Sequence, residues 1–437
     1  MRKVLFIIIL LLFSVHAYAE SLSMEDEYIE PLNSLYRQAI QSTTEVSIEA
    51  YKALNQIFTS GWTDSQVVIS AINEHEKAIS LFKLAALQES NQAMFIKKPE
   101  KITFIMPGVD GSKLRLLLRL VLAQGLKFES AGQYHKAKEN YIASVRFIMH
   151  SSREEFKALQ PQLMEMACFN IVEKCIYKSI SDDNLSNGYY SDLLKYFNVI
   201  YGQQDFLESV FKTELLGTKN LARMLEKEMP DSGPYKINKI FFKKDINLFF
   251  RSFYMSYDLR VNENTKNAIE CAKKNDLSLL RMEQREIEEK ELGKPFNMVK
   301  KFLRKFLIER KNITQIKAEF LADIMSTLGQ PDYSKIINYY HVYYNKLNLL
   351  RTALAVKLYE ADKGELPDSL DFLVLEYLKE VPLDTYNEFK PLSYIKAENT
   401  VKIYSWGPDR KDDSGNAEFD KNDLSSVGDI LILVDED

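Results

Sequence analysis

From Ile336 onward the apolar residues Ile336, Tyr340, Tyr343, Leu347, Leu350, Leu354 and Leu358 recur three or four apart, a spacing that puts them on one stripe of a helix. Gly364 follows Lys363 and Pro367 stands three residues later, the usual order for a helix stop. The pattern then changes. Residues 368–379 read as a short amphipathic helix carrying Leu370, Leu373, Val374, Tyr377 and Leu378. Leu392–Ile395, Thr400–Ser405 and Ile430–Val434 read as strands. The segment between Ser405 and Ile430 is too long for a plain turn. A long helix polar on one side, a break and a few short strands predict a small α+β module over 331–437.

The rest of the chain has few places to interrupt a helix, with only 15 Gly and 12 Pro among 437 residues. Helical patterns run over 24–58, then from a cap at Thr63 or Asp64 to Leu87, over Leu114–Phe128 and over Tyr134–His150. They continue over Arg153–Ile180, Tyr190–Glu228, Ile237–Asp258, Asn262–Leu292 and Phe296–Lys311, with residues 92–111 as a loop or boundary. Gly125, Phe128, Gly132, Tyr134, Ala137 and Tyr141 match the small and aromatic positions of one tetratricopeptide-like hairpin. Only one such unit is found, whereas a solenoid needs about three, so an ordinary helical hairpin stands beside that reading. The expected fold class is mainly α, a multi-helix body over 20–330, solenoid-like in one alternative, with the α+β module at its C-terminal end.

Arg2 and Lys3 precede the apolar run Val4–Val15, and Ala17-Tyr18-Ala19 precedes Glu20. That is the pattern of a Sec signal peptide over 1–19, cleaved after Ala19. Its apolar core is shorter than the roughly 20 residues a bilayer span needs, and no later segment reaches that length. The expectation is a periplasmic or secreted protein without a transmembrane segment after cleavage. The net charge of −5 argues against a generic nucleic-acid binder, which needs a basic surface. Phe296–Lys311 sets Phe296, Val299, Phe302, Leu303, Phe306 and Leu307 against Lys300, Lys301, Arg304 and Lys305. Such a helix suits peripheral contact with an anionic membrane, and equally the surface of a globular body.

Cys168 and Cys175 lie seven apart on one predicted helix, about 10 Å between Cα atoms at 1.5 Å rise, beyond the roughly 7 Å limit for a disulfide. Cys271 is free to pair with either, or all three are buried apolar residues.

The residues Leu366-Pro367, Asp384-Thr385-Tyr386-Asn387, Tyr404-Ser405-Trp406-Gly407-Pro408-Asp409 and Asp429-Ile430 give the tail a specific likeness. Together with the helix before them they resemble the globular domain of the major pseudopilin of type II secretion systems. There a long helix leads into a Tyr-Pro or Leu-Pro start, an Asp-Pro-Trp-Gly segment, a Tyr-Ser-x-Gly-x-Asp segment and a late Asp-Ile. The amino end carries a Sec-type leader rather than a pseudopilin leader and stalk, so the expectation is an envelope protein with a pseudopilin-like tail, not a pilus subunit. The resemblance implies a structural calcium ion held between the long loop and the last strand, with Ser405, Asp409 and Asp429 as matched ligands. Asp412 and Asp413 join them by proximity, since calcium takes six to eight oxygens from flexible loops. Asp420 and Asp423 lie in the same loop.

Signals for catalysis are weak. His75, His135, His150 and His341 form no His-Glu-x-x-His pair, and no nucleophile elbow or phosphate-binding glycine loop occurs. Gln88-Glu89-Ser90 bears only a faint likeness to the Glu-Ser of lytic transglycosylases. The expected function is therefore a non-enzymatic exported protein of the cell envelope, a scaffold or partner-binding module for a protein partner. The alternative is a periplasmic hydrolase of cell-wall or other glycans, housed in the helical body.

Overall fold

The computed structural model describes residues 34–88, 110–152, 159–181, 187–202, 207–213, 215–216, 246–274, 315–316, 318–319, 322, 333–397, 400–416, 419 and 428–435. The signal peptide, most of the 92–111 boundary, the 296–311 helix, Asp420 and Asp423 lie outside the described residues. In chain order the helices are α1 Ser34–Gln41, α2 Ile48–Ser60, α3 Gln66–Glu74, α4 Glu76–Leu87, α5 Gly111–Ser130, α6 Tyr134–Ser152, α7 Leu159–Ser181, α8 Asn187–Tyr201, α9 Ile246–Lys274 and α10 Tyr333–Lys363. A 3₁₀ turn, Leu370–Leu373, precedes the strands β1 Leu383–Asp384, β2 Lys390–Pro391, β3 Ser393–Lys396, β4 Thr400–Ser405 and β5 Ile430–Asp435. The protein is mainly α.

The chain forms two compact units. Leu207–Ile337 belongs to one, and Glu25–Lys97, Pro107–Phe206 and Asn338–Asp437 belong to the other. One division between the units falls at Ile337–Asn338, within α10. Nearly all of α10 and the whole strand region share one unit with α1–α8, because α10 is packed against α7 and α8. In the first unit α9 is one unbroken helix, where two helices meeting near Asp258–Asn262 were expected. No Gly or Pro occurs there, and Val261, Thr265, Ala268 and Ala272 continue a buried stripe through the expected gap. Phe211 meets Tyr333 edge-on in the same unit, with ring centroids 4.9 Å apart.

In the second unit one buried histidine accounts for two departures from the sequence reading. The helix expected over 24–58 is interrupted between Gln41 and Ile48, and the helix expected through Leu87 is divided at His75. His75 is buried, with Nδ1 donating to the Ala71 carbonyl at 2.7 Å and Nε2 accepting the Thr44 amide at 3.2 Å. The imidazole thereby occupies a main-chain acceptor in one break and a main-chain donor in the other. Ser47 caps α2 by accepting from Ala50, and Asp110 caps α5 by accepting from Ser112 and Lys113.

The α5–α6 hairpin follows the expected boundaries within a few residues. A Cβ at Gly125 would stand 2.6 Å from the Tyr141 ring, so the small residue sets how closely the helices approach. Tyr141 donates to Glu129, and Asn140 donates to the Val121 carbonyl at 2.8 Å and to Gln124 at 2.9 Å. Cys168, Cys175 and Cys271 are buried and none forms a disulfide. Burial pushes the Cys168 thiol up to about 12 and raises Cys175 as well, which keeps both in the unreactive thiol form.

The organising element is α10, and it differs from its sequence pattern. Every residue from Tyr340 to Lys357 is buried, its polar side included. Toward α7, Tyr343 donates to Glu165 at 3.0 Å, while Lys346 donates to Asn170 at 3.0 Å and lies 3.4 Å from Glu173. Toward α8, Arg351 bonds Asn198 at 2.8 Å and its guanidinium stacks 3.7 Å from the Tyr201 ring centroid. Toward the strand region, Asn345 takes the Thr385 amide at 3.1 Å and donates to its hydroxyl at 2.9 Å, and Asn348 donates to the Leu383 carbonyl at 3.1 Å. These polar side chains are matched to polar partners, which offsets the cost of burying them.

Beyond α10 the helix expected over 368–379 is reduced to the 3₁₀ turn. Leu375 takes φ 76° and its amide donates to Leu378 at 2.7 Å, turning the chain back; a left-handed leucine costs about 1 kcal/mol or more. The β1–β2 hairpin, absent from the sequence reading, pairs Leu383 with Pro391 and Asp384 with Lys390. The second sheet is antiparallel, ordered β3–β4–β5, with Val401 opposite Val434, Ile403 opposite Ile432 and Ser405 opposite Ile430. Those six side chains are buried, and alternation turns Leu433 outward. The β5 strand lies along α7, where the Leu433 amide donates to the Tyr177 hydroxyl at 3.3 Å.

Lys346→Met should lower stability by about 3 kcal/mol, because it strands the Glu173 carboxylate in the interior. Pairing it with Glu173→Met should restore most of that loss. Urea unfolding of both variants checks this, and an additive loss in the pair would count against a coupled buried pair.

Candidate functional site

Two of the four segments quoted above, Asp384–Asn387 and Tyr404–Asp409, meet at one carboxylate. Asp384, at the end of β1, is fully buried. Its Oδ1 accepts from the Ser405 hydroxyl at 2.6 Å and from the Tyr386 amide at 2.9 Å, and its Oδ2 accepts the Trp406 amide at 2.9 Å. Desolvation dominates and holds its pKa above the usual carboxylate value, with these donors and the Asn387 amide opposing the shift. Asp384 therefore locks the 385–389 turn, in which Glu388 and Phe389 are both left-handed, to the exit of β4.

That arrangement decides what Ser405 does. Its hydroxyl is given to Asp384 and not to the acidic loop. Gly407, at φ 70°, follows; a Cβ there would stand 2.1 Å from the Gly428 carbonyl, so only glycine allows the loop to pass so close to the start of β5. Asp409 is half-buried and its Oδ1 faces the Lys411 amide at 3.4 Å within its own turn. Asp412 is exposed and accepts the Ser414 amide at 2.8 Å and the Tyr404 hydroxyl at 3.1 Å. Asp413 is half-buried, with its amide directed at Asp429.

Asp429 is the focus of the loop. It has no exposed surface, its Oδ2 accepts the Gly415 amide at 2.7 Å, and its carbonyl accepts the Phe419 amide at 3.1 Å. Its Oδ1 is buried with no hydrogen-bond partner, an unusual state for a carboxylate oxygen. Burial first, and the negative charges of Asp413 and Asp412 after it, push its pKa up to about 6. The loop is thus pinned to the closing strand by main-chain donors, and one oxygen remains open to a proton or a cation.

The expected calcium ligands fit this geometry in part. Asp429 offers an open oxygen, and Asp412 and Asp413 lie close enough for their charge to act on it. Ser405 does not fit, being committed to Asp384. Among the described residues no three His, Cys, Asp or Glu side chains form a ready metal cluster, so main-chain carbonyls and water would have to complete a shell of six to eight oxygens.

Asp429 also lines a small cleft with Glu173, Lys346, Leu349, Phe419 and Ile430, whose interior of about 10 Å³ has room for one water molecule. Sequence reading did not single out Asp384, Glu173 or Lys346 as site residues. The signal for Lys346 was present, since Asn345, Lys346, Asn348 and Arg351 crowd one side of a helix otherwise rich in leucine. The partner residues on α7 and in the β1–β2 turn come from distant sequence and carry no such mark. His341 is buried beside Tyr340 and Tyr386, with ring centroids 5.3 and 6.2 Å away.

No described helix is long and apolar enough to cross a membrane. Comparison of the chain with protein-family models, with curated proteins and with solved structures finds no match.

The raised pKa of Asp429 has a defined sign. Between its unfolded value and about 6 the folded protein binds a proton that the unfolded chain has released, so stability falls as pH rises through that window. In chelator, Asp429→Asn should stabilise the protein near pH 7 by about 1 kcal/mol after allowance for solvent screening, and have little effect near pH 4. Urea midpoints at the two pH values check this; destabilisation near neutrality would contradict it.

Proposed function

We propose that this protein is a non-enzymatic exported protein of the bacterial cell envelope, a scaffold or partner-binding module whose tail is of the pseudopilin kind and is stabilised by calcium. The observation that carries the reading is the open, buried Oδ1 of Asp429 at the point where the acidic loop is pinned to the closing strand. Asp384, which joins two of the four segments behind that likeness, supports the same reading. The Sec-type leader ending at Ala19 supplies the route out of the cytoplasm, and a protein partner in the envelope supplies the purpose of the folded body.

Asp429, with Asp412 and Asp413, would hold the ion, and Asp409 stands in the adjoining turn. Bound calcium supplies positive charge to carboxylates that otherwise repel one another. The one-water cleft beside Asp429 is too small to admit a sugar ring, so the hydrolase alternative gains no support from it.

Two measurements test this reading. Trp406 leads into the acidic loop with its indole nitrogen buried and unbonded, and only one other tryptophan is present. Adding calcium to chelated protein should change tryptophan emission and raise the melting temperature in the wild type but not in Asp429→Asn. With a dissociation constant near 0.1–1 mM, millimolar calcium would add about 0.4–1.4 kcal/mol. An unchanged emission and melting temperature would remove the metal. Crosslinking in intact cells, followed by purification of the tagged protein, should capture an envelope protein; recovery of the tagged chain alone would remove the partner.

A further inference from the structure

The turn after α10 presents a hydrophobic point to solvent. Leu375 is 91% exposed and Phe372 is 54% exposed, the most open leucine and phenylalanine among the described residues. An apolar side chain at a left-handed position is a poor choice for stability alone, since glycine would occupy the same φ without strain and without exposing a hydrocarbon surface.

The point is rigidly held. The Leu375 amide bonds the Leu378 carbonyl at 2.7 Å, and the Tyr377 and Leu378 amides both bond the Leu373 carbonyl. Tyr359 of α10 packs edge-on against Phe372 and Tyr377, with centroids 6.3 and 6.1 Å away. Tyr377 donates to Asp362 at 2.7 Å and Lys363 pairs with Glu376 at 3.2 Å. A backbone and a Phe372 ring ordered in advance lose little entropy on docking, which suits an interface anchor.

The surroundings are acidic. Between Asp362 and Glu380 six carboxylates stand against the two lysines Lys363 and Lys379, all of them exposed. Lys396 neutralises only Asp368, at 2.7 Å. An anionic membrane would be repelled by this rim, and a basic surface attracted.

We propose that the Phe372–Leu375 tip is a docking surface for a basic protein segment carrying an apolar anchor, the anchor meeting Leu375 and Phe372 and its lysines or arginines meeting the acidic rim. This names the chemistry of the partner in the reading above and rests on that reading.

The test uses the full chain and fluorescent peptides rich in Lys and Arg with a single Leu or Phe, alongside matched peptides with Glu in place of the basic residues. The basic set should bind, weaken with added salt, and lose about tenfold or more in affinity on Leu375→Gly, a loss typical of an anchor. Leu375→Gly relieves the left-handed strain, so its melting temperature should hold or rise while binding falls, which separates a docking role from a structural one. Phe372→Ser and Glu376→Lys should weaken binding in the same direction.

Absence of basic-peptide binding, equal binding by Leu375→Gly, or equal binding of the acidic peptides would overturn the proposal. So would recruitment to phosphatidylglycerol vesicles that depends on Leu375, or a dimer lost in Leu375→Gly, since each names a different occupant. In intact cells, crosslinked capture that is equal in wild type and Leu375→Gly removes this surface alone. A wild type that binds the basic peptides but captures nothing in the envelope removes the partner-binding reading instead.

Discussion

The structure of the second unit depends on the burial of α10 from Tyr340 to Lys357, with Asn345, Lys346, Asn348 and Arg351 hydrogen-bonded to its neighbours. A helix buried on all sides is ordinarily apolar on all sides. This one carries Asn345, Lys346, Asn348, Arg351 and Lys357 into the interior, and each meets an oxygen acceptor there: a side chain of α7 or α8, the β1 backbone and the β1–β2 turn, or, for Lys357, Glu360 on the next turn of α10 at 3.1 Å. Leaving any one unmatched would cost about 1–3 kcal/mol, and more for the charges. The requirement fixes the register of α10 against three neighbours together. It also explains why the strand region and the early helices form one compact unit, though they are far apart in the chain.

A second layer of order is built on that one. With α10 holding the β1–β2 turn through Thr385 and Leu383, Asp384 is brought to the end of β4, where it gathers Ser405 and Trp406. The acidic loop then leaves from a fixed point and returns to a fixed point, the Gly407–Gly428 contact and the Gly415–Asp429 bond. Asp429 is consequently buried without the donors that Asp384 enjoys. Two aspartates in similar burial thus take different roles. One is saturated with amide and hydroxyl donors and acts as a joint, while the other keeps one oxygen without a hydrogen-bond partner.

The candidate site was only partly legible in the residues. The motifs around Asp384 and Ser405 were visible as a pair, but the spacing gave no reason for them to bond one another, and Ser405 was expected to face the loop. Asp409, Asp412, Asp413 and Asp429 were visible as an acidic group, and only Asp429 proved to be deeply buried. Glu173 was invisible as a site residue, because a single glutamate on a mixed helix looks the same whether it meets water or a buried lysine.

The sequence by itself determined the local elements: the α5–α6 hairpin, the extent of α10 and the three strands of the β3–β4–β5 sheet. Hydrophobic period and Gly-Pro punctuation are properties of neighbouring residues, so they need no knowledge of the rest of the chain. It placed the hidden breaks poorly, since His75 interrupts two helices by bonding Thr44 and Ala71, which no period reveals. Tertiary structure alone decided that the polar side of α10 is interior and that Asp429 is left with an oxygen unsatisfied. Both outcomes depend on which distant donors and acceptors arrive beside a side chain, and burial changes the energy of a polar group by more than any local preference does.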